Sequence, residues 1–145
     1  MSGAEASPPL ALSSSVDLNW RVDGNGPVVW LLLNGAGLPL EFWDDIAQAL
    51  SAQHTVVRMD QRNAGDSVAP VAVGDNWDTY TADQLALMDH LGIDQFHVAG
   101  MCIGGPYILN LIEHAPERVT SALVLQTIGR DENRDIFFAM YDMWA

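Results

Sequence analysis

The chain has 145 residues, is 49% hydrophobic and carries a formal net charge of −13. That length allows one domain with a moderate core, and no apolar run approaches the roughly 20 residues of a membrane span. The acidity argues against a nucleic-acid partner, which needs a basic face, and the absence of lysine excludes P-loop and Schiff-base chemistry.

The six basic residues are all arginines, and the acidic excess reads as a solvated surface. A single cysteine rules out an internal disulfide and a zinc site of several thiolates, so no metal is expected. No basic residue precedes Arg21, so the N-terminus lacks the charged start of a signal peptide, and a cytoplasmic location is the expectation.

In chain order, residues 1–15 are rich in Ser, Ala and Pro and read as a loose lead-in. Residues 16–22 alternate and predict a first strand, followed by the turn cluster Asp23-Gly24-Asn25-Gly26-Pro27. Residues 28–33 are continuously apolar, as in a strand buried on both faces of a parallel sheet. Helical spacing over 39–52 places Phe42, Ile46, Ala49 and Leu50 on one inward side. A strand over 54–60 ends at a carboxylate, and 64–77 is a loop. A helix over 79–91 turns Leu85, Met88 and Leu91 inward, with Gly92 at its C-terminal end. A strand over 95–100, a helix over 103–114, a strand over 121–127 and the start of a helix at 135–145 complete the pattern. Strands alternating with helices through short loops predict an α/β fold: an open, mostly parallel sheet with helices on both faces.

The residues with chemical promise lie where the strand over 95–100 meets the next helix, at Gly100-Met101-Cys102-Ile103-Gly104-Gly105. A sharp strand-to-helix turn forces its central residue into strained angles. It needs small residues two positions to either side, where strand and helix crowd together. It also lifts the central side chain above the C-terminal edge of the sheet, where open α/β folds bind ligands. Here that side chain is a thiol at a helix N-terminus, whose dipole favours thiolate over thiol.

Gly100 to Gly104 reads G-x-C-x-G and resembles the nucleophile elbow of α/β-hydrolases, with cysteine in place of serine. Two further motifs stand upstream in the expected order. Asn34-Gly35-Ala36-Gly37 follows the first buried strand, where the family usually has His-Gly-x-Gly. Residues 60–67 (Asp-Gln-Arg-Asn-Ala-Gly-Asp-Ser) resemble the family's D-x-R-G-x-G-x-S, with Asn63 replacing one glycine. The resemblance covers residues 16–145 and implies that Cys102 is the nucleophile. It also implies an oxyanion hole from the backbone N–H groups of Ala36 and Ile103. Gly35 and Gly37 would let the first loop approach a substrate oxygen, the alternative being that they only make a tight turn.

Asp60 and Arg62 read as a structural pair that fixes their loop, and Ser67 as a loop hydrogen-bonder. Trp30, Trp43 and Trp77 read as core or loop packing, with Trp43 also a candidate pocket wall. The family resemblance implies that an acid and then a histidine follow the nucleophile in the chain. His54, His90, His97 and His114 all fall off the catalytic edge. Gln126 matches one acid position but cannot serve, and Asp131 and Glu132 are weak candidates. The core therefore reads as truncated before its last strands, with the family's lid region starting at 130–145.

The implied function is hydrolysis of an ester, lactone or thioester through an acyl-enzyme on Cys102, with a small-molecule acyl substrate and no cofactor. Cysteine elbows also resemble those of dienelactone hydrolases and of polyester synthases, so acyl transfer is the enzymatic alternative. A non-catalytic half-domain completed by a partner chain, or self-associating through its sheet edge or lid helix, is the other. Dinucleotide binding is a poor reading, because Leu40 stands where a G-x-G-x-x-G needs its third glycine.

Overall fold

The apolar run of 31–33 explains the middle of the sheet. Leu31, Leu32 and Leu33 are all at most 1% exposed, so both faces of their strand are covered. In the computed structural model, which describes residues 10–11 and 16–128, this strand is β4 (Val29–Leu33). Around it stand β3 (Trp20–Asp23), β5 (Thr55–Met59), β6 (Phe96–Met101) and β7 (Val119–Leu125). The order across the sheet is β3-β5-β4-β6-β7. Only β3 runs antiparallel, against β5; the other neighbours are parallel.

Helices cover both faces, as the alternating pattern predicts. The short α1 (Asp44–Leu50), entered through a 3-10 turn (Leu40–Trp43), lies on one face. There Trp43 and Ala47 pack with Leu32, Val56 and Ala99. The longer α2 (Trp77–His90) and α3 (Gly104–His114) lie on the other. That face holds the larger core, with Leu31, Leu33, Val57, Met59, Leu87, Met88, Val98, Ile108 and Leu111. After β5 the chain crosses over β4 to reach β6, so the connections leaving β4 and β6 run to opposite faces of the sheet. Such a switch point opens a crevice at the carboxyl ends of the two strands, and this places the site.

Several elements differ from the pattern-based expectation. The inward side of the first helix is Leu40, Trp43 and Ala47, with Leu50 packed partly against the same core as expected, while Ala49 is exposed and Phe42 and Ile46 are 45% and 46% exposed. Both sets have helical spacing, and burying the large Trp43 ring decides between them. Trp43 is therefore core, not a pocket wall. The predicted first strand is broken at Asn19 into β2 (Asp17–Leu18) and β3. Inside the expected lead-in, β1 (Leu10–Ala11) pairs antiparallel with β2. The second helix begins two residues early, where Asn76 and Thr79 form a reciprocal capping box. Met88 is fully buried, Leu85 and Leu91 pack partly against the same core, and Gly92 takes the left-handed φ of +68° that ends the helix.

β7 is one edge strand of this sheet and β3 the other, and on β7 Leu123, Val124 and Leu125 remain 37–49% exposed. The expected lid region and the acid candidates Asp131 and Glu132 lie outside the described residues. No helix among those described is long and apolar enough to cross a membrane.

Candidate active site

Three turns stand at the carboxyl end of the sheet, the first two of them at the switch point. The first joins β6 to α3. Cys102 sits at its apex with φ +57°, a left-handed conformation that costs a β-carbon residue energy and marks a constrained turn. The cost is offset by three backbone hydrogen bonds: Cys102 N–H to the Leu125 carbonyl (3.0 Å), Gly105 N–H to the Cys102 carbonyl (3.1 Å) and Ile128 N–H to that same carbonyl (3.4 Å). Glycines supply the room. A Cβ on Gly100 would lie 2.9 Å from the Gly104 carbonyl oxygen, and one on Gly104 would lie 2.8 Å from the Leu33 carbonyl oxygen. Gly105 has a different reason: its Cβ would collide with the Thr127 side chain. The Cys102 thiol is free and half-buried.

The second turn follows β4. Gly35 to Leu38 closes with a Leu38 N–H to Gly35 carbonyl bond of 3.2 Å, and Gly37 takes φ +67°. A Cβ built on Gly35 would come within 3.5 Å of Met101 Cε and 3.7 Å of Cys102 Cβ, so this turn lies against the elbow. Among the described residues, neither the Ala36 N–H nor the Ile103 N–H donates to a protein acceptor. Asn34, at 1% exposure, donates from Nδ2 to the Leu38 carbonyl (3.0 Å) and the Met59 carbonyl (3.2 Å).

The third turn, residues 60–67, corrects one expectation. Asp60 and Arg62 do not pair with each other. Asp60 is fully buried and accepts from Leu40 N–H (2.6 Å), Asn19 Nδ2 (2.7 Å) and Asp66 N–H (2.9 Å). It thus ties together the break between β2 and β3, the start of the 3-10 turn and its own loop. Arg62 points to α2 and forms a two-pronged pair with Asp83 at 2.7 and 2.8 Å, with Asp75 further off at 3.4 Å. The hydrogen bond to Asp83 raises the Arg62 pKa, against the opposing effect of burial. Though only two positions apart on a short loop, each of the two charges finds its partner across the fold. Ser67 is a loop hydrogen-bonder as expected, donating to the Asp60 carbonyl and accepting from Asn19 N–H, both at 2.9 Å. Asn63 takes φ +59° where a glycine was expected, and its Oδ1 accepts from Ala69 N–H at 3.0 Å.

The polar residues of α2 escaped the sequence reading. Asp83 and Gln84 are at most 2% exposed, and Gln84 donates to Gln61 Oε1 at 3.1 Å. A signal existed: Gln84 lies four residues before Met88, on the face the apolar spacing marks as inward. Tyr107, in the first turns of α3, packs on Tyr80, and burial pushes its phenol pKa well up. Trp77 lies edge-on to Tyr107 and is 45% exposed.

Three of the four histidines are engaged elsewhere. His97 stacks on Trp30 and shares a 2.7 Å hydrogen bond with Ser121 Oγ. His114 bonds the Asn110 carbonyl and lies 3.3 Å from Asp78, while His90 meets Trp20 edge-on. Among the described residues none of the four hydrogen-bonds Cys102. Gln126, just after β7, is exposed and has φ +44°. No group of three or more His, Cys, Asp or Glu among the described residues could hold a metal ion.

Comparison with known proteins agrees with this architecture. A family model described as alpha/beta hydrolase fold matches residues 29–145. The chain is 34% identical over 116 residues to a dihydrolipoyllysine-residue acetyltransferase component of an acetoin cleaving system from Pseudomonas putida, covering 79% of this chain and 31% of that protein. It is 32% identical over 125 residues to a protein named as a carbamate hydrolase from Azorhizobium caulinodans, covering 84% and 45%. Among solved structures, the enol-lactonase from Burkholderia xenovorans superimposes with a TM-score of 0.73 at 30% identity, covering 79% of this chain and 45% of that one. The chain spans less than half the length of these relatives.

Proposed function

The chain belongs to the α/β-hydrolase fold family, and from that premise we propose that it carries the nucleophile and oxyanion half of an acyl-transfer site, with Cys102 as the attacking group. The substrate class is an ester, lactone or thioester. The Cys102 thiolate adds to the carbonyl carbon, and the carbonyl π-electrons move onto oxygen. The N–H groups of Ala36 and Ile103 receive that developing charge. Collapse of the adduct reforms the carbonyl and expels the alkoxide or thiolate, which takes a proton from water and leaves an acyl-thioester on Cys102. Attack by water on the thioester then releases the acid and returns the thiol.

One observation carries this reading: a left-handed Cys102 beside two backbone N–H groups that have no protein acceptor among the described residues. The lactonase and acetyltransferase named above are the relatives whose chemistry it most resembles. Acyl transfer to an acceptor other than water is a second reading, supported by the acetyltransferase component. Completion by a partner chain is a third, supported by the exposed apolar side chains of β7.

Mixing with p-nitrophenyl acetate tests the proposal. No histidine among the described residues is placed to activate water, and a positioned base typically supplies about 10²–10⁴-fold of rate. The expected result is therefore a burst of one equivalent of p-nitrophenol followed by a stall, with no burst from Cys102→Ala. Sustained turnover, lost in Cys102→Ala, would mean a base acts on the thioester and would contradict the stall. A burst that persists in Cys102→Ala would remove the nucleophile assignment.

A further inference from the structure

The tip of the turn, at Ala36 and Gly37, has little apolar packing to hold it. Ala36 is exposed, and a Cβ built on Gly37 would meet nothing within 4 Å. Its position rests on polar attachments. Asn34 donates both bonds from one NH₂ group, to the Leu38 carbonyl at the end of the turn and to the Met59 carbonyl at the end of β5. Asn34 Oδ1 has no hydrogen-bond partner, so the NH₂ group makes every side-chain bond this residue has. Just beyond, Leu40 is gripped at its N–H by Asp60 (2.6 Å) and at its carbonyl by Arg58 Nη1 (3.3 Å). The clamp at Asn34 is the side-chain attachment that spans the turn itself, beside the backbone bond from Leu38 N–H to the Gly35 carbonyl.

We infer that Asn34 is a positioning residue for acylation: by clamping residues 35–38 onto the end of β5 it aims the Ala36 N–H at the oxygen of a carbonyl attacked by Cys102. The inference rests on the reading of Cys102 given above. It separates two reactions of one thiol. Acylation by an ester builds negative charge on a carbonyl oxygen and needs the aimed N–H. Alkylation by iodoacetamide displaces iodide at a saturated carbon, builds no oxyanion and does not need it.

The experiment measures both rates, for p-nitrophenyl acetate and for iodoacetamide, in the wild-type chain, Asn34→Ala, Asn34→Leu and Leu111→Ala. Asn34→Leu keeps the side-chain length and branching but has neither donor nor charge, so it reports even where the cavity left by alanine prevents folding. Leu111→Ala removes a fully buried side chain of α3 and controls for lost stability alone. The expected result is an acylation rate lower by roughly 10- to 100-fold in the Asn34 variants, with the alkylation rate unchanged. Leu111→Ala is expected to keep the wild-type ratio of the two rates. A wild-type ratio in the Asn34 variants, a parallel fall of both rates, or the same split in Leu111→Ala would each overturn the inference. Wild-type protein that is alkylated but never acylated would instead defeat the parent reading.

Discussion

The elbow at Cys102 and the loop at Asp60 both stand at the carboxyl end of the sheet, and both contain a β-carbon residue with left-handed φ. They are held by different physics. In the elbow the constraint is steric: strand and helix approach so closely that Gly100 and Gly104 have no room for a Cβ, and Cys102 is forced out at the apex. In the loop the constraint is electrostatic: a fully buried carboxylate collects three N–H donors from three separate segments. Gly65 belongs to both kinds, since it has φ +52° and a Cβ there would collide with the Asp60 carboxylate. Errors of shape should therefore damage the first region, and errors of hydrogen bonding the second.

The largest effect is expected where hydrogen bonding fails deepest. Asp60→Ala strands one buried and two part-buried donors, each worth up to about 1–3 kcal/mol when left unsatisfied. The total is a large part of the roughly 5–15 kcal/mol that holds a domain folded. Chemical denaturation should show a chain that is mostly unfolded; a midpoint near wild type would mean the carboxylate is not the hub described. Next comes Arg62→Ala, which leaves the Asp83 side chain buried at 2% exposure without its partner. Breaking such a pair costs about 3–5 kcal/mol. Iodoacetamide should still reach Cys102 in the fraction that folds, because Arg62 faces α2. Loss of labelling with the fold intact would move Arg62 into the active site. A smaller, steric effect belongs to Gly104→Ala, whose Cβ would press on the Leu33 carbonyl. Overpacking of that kind costs about 1–3 kcal/mol and should shift the thermal midpoint modestly. Unlike the loop variants, it should also slow acylation of Cys102 markedly, because the elbow itself must move; unchanged acylation would show that the elbow tolerates the methyl.

The same contrast explains what could be read from the sequence. The elbow was legible because its requirement is local: small residues two positions either side of the apex, at a strand-to-helix boundary. The order of strands and helices was legible for a similar reason, since each apolar run signals its own burial. The partners of Asp60 and Arg62 were not, because they lie across the fold. Asn19 is 41 positions from Asp60, and Asp83 is 21 from Arg62. Proximity in sequence suggested that the two charges paired, and packing sent them to opposite sides. The side of the first helix that turns inward was undecided by spacing alone, because two interleaved sets both fit; the choice fell to the bulk of Trp43. The role of Asn34 was hidden because its two acceptors are backbone carbonyls, which carry no mark in the sequence.

On the proposed function, Cys102 accepts an acyl group in an elbow that holds the oxyanion. Brief exposure of the native chain to p-nitrophenyl acetate, followed by acid quenching and peptide mass spectrometry, reads that event itself. One acetyl group per chain is expected, confined to the peptide containing Cys102 and formed far more slowly after denaturation. Acetylation scattered over other side chains, or equal labelling of Cys102 in native and denatured protein, would contradict it.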